Sequence, residues 1–323
     1  MESTLMRSRT FVVLALGLLA AALSFAQPAF PSRQVHLVVP FPPGGASDAM
    51  MRILGARLQE IWKQPVVIEN KPGAGTIIGT NAVAKAVPDG YTLGLVASAH
   101  AINAAGRRDL PYDTLKDLAT VSQVAVVHQA IFMRADMPVH SMRELVNHAR
   151  SQRTTYATAG VGTAGHLFGE LLNAKEGTHL AHVPYKGSSP AQVDLLAGQV
   201  DLMVDALSAH YPMVKAGKLK VIALASPQPH PGFPQIPMAE QTYPGISVES
   251  FFGIVAPGNT PRSIVNQLSG DIATALSDPG VKNRIDELGL LPMSTTPAQF
   301  DALIRAEVRK WTELFRAGNI RID

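Results

Sequence analysis

The stretch Pro40-Phe41-Pro42-Pro43-Gly44-Gly45-Ala46-Ser47-Asp48 joins an apolar run to an amphipathic one through a loop rich in backbone amides. Upstream, Val35, Leu37, Val38 and Val39 read as a short buried strand; downstream, Met50, Ile53, Leu54, Leu58, Ile61 and Trp62 recur at helical spacing. Ser47 is the predicted N-cap. Strand, loop and helix in this order suit an anion without any metal. The first helical turn carries unpaired N–H groups at the positive end of the helix dipole, and a carboxylate there accepts charge-assisted hydrogen bonds. The same glycines also serve a plain tight turn, so this stretch alone leaves both uses open.

On either side the alternation repeats. Strands are predicted at 35–39, 66–69, 91–96, 120–132, 155–159, 178–183, 202–205, 221–225 and 253–256, with helices at 48–63, 75–86, 141–150, 163–174, 188–197, 208–216, 261–278, 280–288 and 297–317. Short apolar runs alternating with helices predict an α/β fold with mostly parallel sheets. The run 121–133 is more strand than one sheet layer needs, and the Pro-rich stretch 227–244 reads as a linker-like break. A chain that leaves one lobe near residue 125 and returns near 250 builds two lobes, 27–125 with 251–323 and 126–250. Their two connections form a hinge, and a ligand cleft lies between them.

Arg7 and Arg9 precede an apolar run from Phe11 to Leu23, and Ser24-Phe25-Ala26 supplies the small residues of a cleavage site. Residues 1–26 therefore read as a signal peptide cut before Gln27, and the mature chain is expected to be soluble and exported. No later stretch reaches the roughly 20 apolar residues of a membrane span. Cysteine is absent, so neither a lipidated N-terminal Cys nor a disulfide is available and the core alone holds the fold. With 46% hydrophobic and only 16% charged residues, the composition is that of a packed globular protein rather than a disordered one. Cleavage lowers the formal net charge from +3 to +2, and the scattered basic residues give no support to nucleic-acid binding.

Gly160-Val161-Gly162-Thr163-Ala164-Gly165 formally matches the dinucleotide fingerprint G-x-G-x-x-G. That motif needs an acidic residue at the end of the next strand, where this chain has Val183-Pro184-Tyr185-Lys186. The glycines are read instead as a second anion-binding helix start, and no cofactor is expected. Gly73-Ala74-Gly75 before Thr76 is a third loop of similar build, read as a turn with a helix cap. His166, in the first turn after the second loop, either donates to a ligand oxygen or caps and packs. His179 and His182 fall in a predicted strand on opposite faces, so they share no metal. Neither a G-x-S-x-G elbow nor an H-E-x-x-H helix is present, which weakens hydrolysis. Ser98, His100 and Asn103, and Tyr185 to Ser188, are polar groups at strand C-terminal ends, where open α/β sheets hold ligands. Asp205 ends the apolar run Leu202-Met203-Val204, and a carboxylate there needs hydrogen-bonded partners or a ligand cation.

Several motifs in order resemble one family. Val38 to Asp48, Val67-Ile68-Glu69-Asn70-Lys71-Pro72-Gly73-Ala74-Gly75 and Val183-Pro184-Tyr185-Lys186-Gly187 are similar to segments of the Bug proteins, the extracytoplasmic receptors of tripartite tricarboxylate transporters. Leu110-Pro111-Tyr112-Asp113, Gly162-Thr163-x-x-His166, Leu196-Ala197-Gly198-Gln199-Val200-Asp201 and Val255-Ala256-Pro257 extend the resemblance over the mature chain. It implies a two-lobed periplasmic binding protein fold, type II-like, that closes on a small organic carboxylate and hands it to transporter membrane subunits. Carried over, the resemblance takes the first lobe's amides from the Pro42 to Asp48 loop and makes Phe41, Pro42, Gly44, Gly45, Ser47 and Asp48 its ligand-binding residues. Gly162, Thr163 and His166 face them, and Ser98, Asn103, Tyr185, Gly187 and Asp205 complete the wall. Phe251-Phe252 stands where family members often have Trp, and Ala104-Ala105-Gly106 is atypical. Alternative outputs are contact with a sensor kinase or an exported dinucleotide-dependent oxidoreductase. A monomer is expected, with neither metal nor catalytic residue.

Overall fold

The computed structural model describes residues 30–248 and 250–318 of the 323. The signal peptide and its cleavage point before Gln27 lie outside the described residues. The first half of the chain runs β1 (Val35–Val39), α1 (Ala46–Trp62), β2 (Val66–Asn70), a 3-10 turn (Ala74–Thr76), α2 (Ile77–Ala84), β3 (Thr92–Ala97), α3 (Ala99–Gly106), β4 (Leu118–Val126), β5 (Gln129–Arg134) and α4 (Met142–Ser151). It continues with β6 (Thr154–Thr158), α5 (Ala164–Glu176), β7 (Leu180–Pro184), α6 (Ser188–Leu196), β8 (Leu202–Ala206), α7 (Leu207–Lys215), β9 (Leu219–Leu224) and α8 (Ala239–Thr242). Then come β10 (Phe251–Pro257), α9 (Arg262–Ser277), α10 (Pro279–Glu287), β11 (Leu291–Pro292) and α11 (Pro297–Gly318).

Two sheets result, ordered β11-β4-β10-β3-β1-β2 and β7-β6-β8-β5-β9. The pairings make β1 to β4 run one way with β10 and β11 reversed, and β6 to β9 run one way with β5 reversed. Most strands of each sheet point the same way, but the reversed strands β10 and β5 lie inside, so five of the nine neighbouring pairs are antiparallel and the sheets are mixed rather than mostly parallel as predicted. These reversed interior strands are those that carry the chain between lobes. This is the two-lobed architecture that the family resemblance implies.

Both faces of each sheet are covered, which explains the nearly continuous apolar strands. In β1, Leu37 and Val39 pack with α1 and α9 residues such as Leu54 and Ile272, while Val38 turns to Ile77, Phe251 and Phe300 on the other face. In β5, Ile131 and Met133 join Leu167 and Phe168, whereas Ala130 and Phe132 join Leu195 and Leu207.

The single strand predicted over 120–132 is two strands in two sheets, separated only by Val127 and His128. Apolarity continues through the crossing because it is buried on both sides: Val127 is 5% exposed and His128 1%. Val127 N donates to Ser250 O at 2.8 Å, and Ala225 N to Gln129 O at 2.8 Å, so the outgoing and returning segments run side by side. The Pro-rich stretch packs on the second lobe through Phe233, Ile236 and Met238. Helix α11 spans the lobes, with Phe300 and Ile304 in a first-lobe cluster and Trp311 and Phe315 in the second lobe's core beside Ala101 and Ile102 of α3. Among the described residues no helix is long and apolar enough to cross a membrane.

Candidate functional site

The loop after β1 ends on Gly45 as N-cap, with no side-chain cap bond, and the helix begins at Ala46. Ser47 therefore lies inside the first turn of α1 and is not the cap. The reason is Asp48. Its Oδ2 accepts from Gly44 N at 3.0 Å, and its carboxylate also takes Arg52 Nε and Nη2 at 3.0 Å each and Asn70 Nδ2 at 2.9 Å. Asn70 Nδ2 further donates to Phe41 O at 3.1 Å. The Arg52 bonds, with help from Gly44 and Asn70, pull the Asp48 carboxyl down to about 2 against the cost of burial. Asp48 thus points into the loop and braces it, leaving the first-turn amides of α1 without intrahelical acceptors. Pro42 to Gly45 are exposed, and a Cβ on Gly44 or Gly45 would meet nothing within 4 Å.

In the second lobe, Thr163 caps α5 by accepting from His166 N at 3.4 Å, and its own hydroxyl donates to Gly160 O at 2.8 Å. The His166 ring does not point outward: Nδ1 accepts from Gly162 N at 3.2 Å, which engages the amide of that residue. His166 stacks on His182 with centroids 4.1 Å apart, and His182 lies against Tyr156 at 4.9 Å. Thr158 Oγ1 accepts from Gly160 N and lies 2.7 Å from His182 Nε2. Burial lowers His166 to about 4, and burial plus the neighbouring His166 lowers His182 to about 3, so both rings are neutral near pH 7. His179 precedes β7 rather than lying in it. Gly165 sits where a Cβ would be 2.1 Å from Val204 O, so close helix–strand packing requires the last glycine of the G-x-G-x-x-G match.

Asn103 stands between the lobes. It belongs with His100 to α3, a helix absent from the sequence-predicted elements; Ser98 is at its N-terminal end, with Oγ accepting from Phe251 N at 3.3 Å. Asn103 is 3% exposed, and its Nδ2 donates to Gly75 O at 2.8 Å. A Cβ on Gly162 would lie 3.8 Å from Asn103 Oδ1 and 3.9 Å from Ile102 Cγ2, so the second lobe's loop closes on α3. The loop that α3 meets on the other side is more than the turn and cap its glycines suggest. Ala74, Gly75 and Thr76 all have positive φ (47°, 60° and 80°), and two of them are not glycine. Such consecutive left-handed residues cost energy and persist where a site needs them.

The other predicted wall residues are placed differently. Tyr185 is half-buried with its hydroxyl donating to Asp194 Oδ2 at 2.7 Å, and Gly187 is the N-cap of α6 with φ 119°. Both oxygens of Asp205 are engaged: Oδ1 accepts from Ala206 N at 2.8 Å, and Oδ2 lies 3.0 Å from His210 Nε2. His210 Nδ1 in turn lies 2.7 Å from the Gln192 side chain. A cavity of about 580 Å³ opens elsewhere, at the far end of α3, beside Arg107, Tyr112, Asp113 and Val308. Its lining is mostly the segment 107–117 that follows α3, where Arg107 and Arg108 stand with Asp113 and Asp117. Among the described residues no cluster of three metal-ligating side chains occurs.

A family described as tripartite tricarboxylate transporter family receptor matches residues 50–320. Protein BugT of Bordetella pertussis is 34% identical over 323 residues, covering 97% of this chain and 99% of BugT. Among solved structures, R. palustris Rpa4515 with adipate superposes with a TM-score of 0.82 at 32% identity, over 90% of this chain and 99% of that one. MatC from Rhodopseudomonas palustris with bound malate superposes at 0.78 and 31% identity, over 88% and 99%.

Proposed function

Because the chain belongs to the tripartite tricarboxylate transporter receptor family, the Bug proteins, which are solute-binding receptors, we propose that it captures a small organic carboxylate in the periplasm and delivers it to transporter membrane subunits. The observation that carries this reading is the meeting of Gly162 with Asn103, which brings the start of α5 to the loops of the first lobe. One carboxylate of the solute is held there by backbone amides, with the first turn of α1 on one side and the Val161 and Thr163 amides on the other, since those of Gly160 and Gly162 are engaged by Thr158 and His166. Charge-assisted bonds of this kind contribute about 1.5–3 kcal/mol each, so three or four supply much of the roughly 8 kcal/mol of a micromolar complex. The adipate and malate in the solved relatives agree in ligand class. The signal peptide read at residues 1–26 supplies the export that this role requires.

A thermal-shift screen of residues 27–323 against mono-, di- and tricarboxylates, amino acids, aromatic acids, and nicotinamide and flavin cofactors tests the reading. A ligand at 100 times its dissociation constant adds about 2.7 kcal/mol of stability. A shift with a carboxylate class is the expected result. A shift with a dinucleotide alone overturns it and returns the Gly160 to Gly165 loop to cofactor binding.

A further inference from the structure

Phe41 and Phe252 meet at the end of the first sheet where the ligand loops gather. The register sets Phe252 opposite Ala97, the last residue of β3, and Phe41 lies two residues beyond the end of β1. Their rings are edge to face with centroids 6.4 Å apart, and both residues are half-buried. Phe251, one position earlier, is wholly buried against Phe300 and belongs to the core.

The charged side chains at the strand ends of the two sheets are already paired. Asp48 holds Arg52 at 3.0 Å, Asp205 faces His210 at 3.0 Å, and Lys71 pairs with Glu69 at 2.8 Å. Among the described residues of these loops, Lys186 is the remaining cation, and it is exposed. A solute with several clustered carboxylates therefore meets no matching set of cations, and burying an uncompensated charge is costly. Two aromatic rings instead offer surface to a hydrocarbon body.

Resting on the receptor reading, we infer that the Phe41–Phe252 pair determines specificity and that the solute is a carboxylate with an apolar body, aliphatic or aromatic, rather than a hydroxylated acid or a tricarboxylate. Amides fix one carboxylate, and the rings sort solutes by the body attached to it.

Calorimetric titration of the purified protein with succinate, adipate, phenylacetate, malate and citrate tests this. Two further buried methylenes make adipate bind roughly ten-fold tighter than succinate. Phe252→Ser should remove that preference, lowering adipate affinity about ten-fold while leaving malate within two-fold, and Phe252→Leu should restore most of it. The leucine variant and a circular dichroism spectrum separate lost specificity from lost folding. Malate or citrate binding as tightly as adipate overturns the inference, as does a Phe252→Ser variant that weakens all acids alike. Failure of every carboxylate to bind is a different result: it removes the receptor reading itself, and this inference with it.

Discussion

The loop before α1 and the loop before α5 have the same plan, a strand end, glycines and a helix start, yet they are braced by opposite chemistries. The first is held by charge: one buried carboxylate, Asp48, ties Gly44, Arg52 and Asn70 together beneath an open loop. The second is held by neutral packing, with His166 stacked on His182 and Gly165 pressed to Val204. An amide-lined helix start needs a fixed loop, and either an ion network or an aromatic stack can fix it. The two differ in tolerance to added atoms and to acid.

Added atoms give the largest contrast. A Cβ at Gly165 meets the Val204 carbonyl at 2.1 Å, so Gly165→Ala should destabilise by more than about 4 kcal/mol or abolish folding, read from urea unfolding. Gly45→Ala, with nothing within 4 Å of the new methyl, should change stability by less than about 1 kcal/mol. A small effect at Gly165 would mean that the second loop is not packed as described.

Removing the ion network is next in size. Asp48→Ala strands the Gly44 and Asn70 donors and Arg52, for an expected loss of about 3 kcal/mol, with Asp48→Asn intermediate because it keeps an acceptor.

Acid should separate the two regions by window. His166 is lowered to about 4 and His182 to about 3 in the folded state, so the unfolded chain takes up these protons first. Their contribution is present above the ordinary histidine value of about 6.5 and is lost as pH falls towards 4, by about 2–3 kcal/mol for His166. Asp48, at about 2, keeps its contribution until pH falls below the ordinary carboxylate value of about 3.9. Unfolding curves at pH 7, 5 and 3.5 should therefore flatten between pH 7 and 5 in a His166→Gln, His182→Gln double variant but not in Asp48→Asn. The reverse pattern would assign the braces wrongly. The smallest effect belongs to the cap: Thr163→Ala should cost about 1 kcal/mol, measured in the same way.

Much of the fold is legible in the chain because its strands are apolar on both faces and its long helices are amphipathic. Helix α3 is not, because its eight residues include His100 and Asn103, polar side chains that turn inward. The site is legible as places rather than as contacts. Glycine-rich loops at strand ends mark where amides gather, but the partners of the carboxylates there are not marked: Asp48 takes Asn70, brought in by tertiary packing, and Asp205 takes its neighbour's amide and His210 on the next helix. The left-handed run Ala74 to Thr76 is hidden for a further reason: neither alanine nor threonine advertises positive φ.

A crystal structure with adipate bound tests the shared grip. The predicted result is one carboxylate of the ligand between the starts of α1 and α5, within about 3 Å of backbone amides from both lobes. A ligand held by one lobe only, or seated beside Arg107 at the far end of α3, would contradict it.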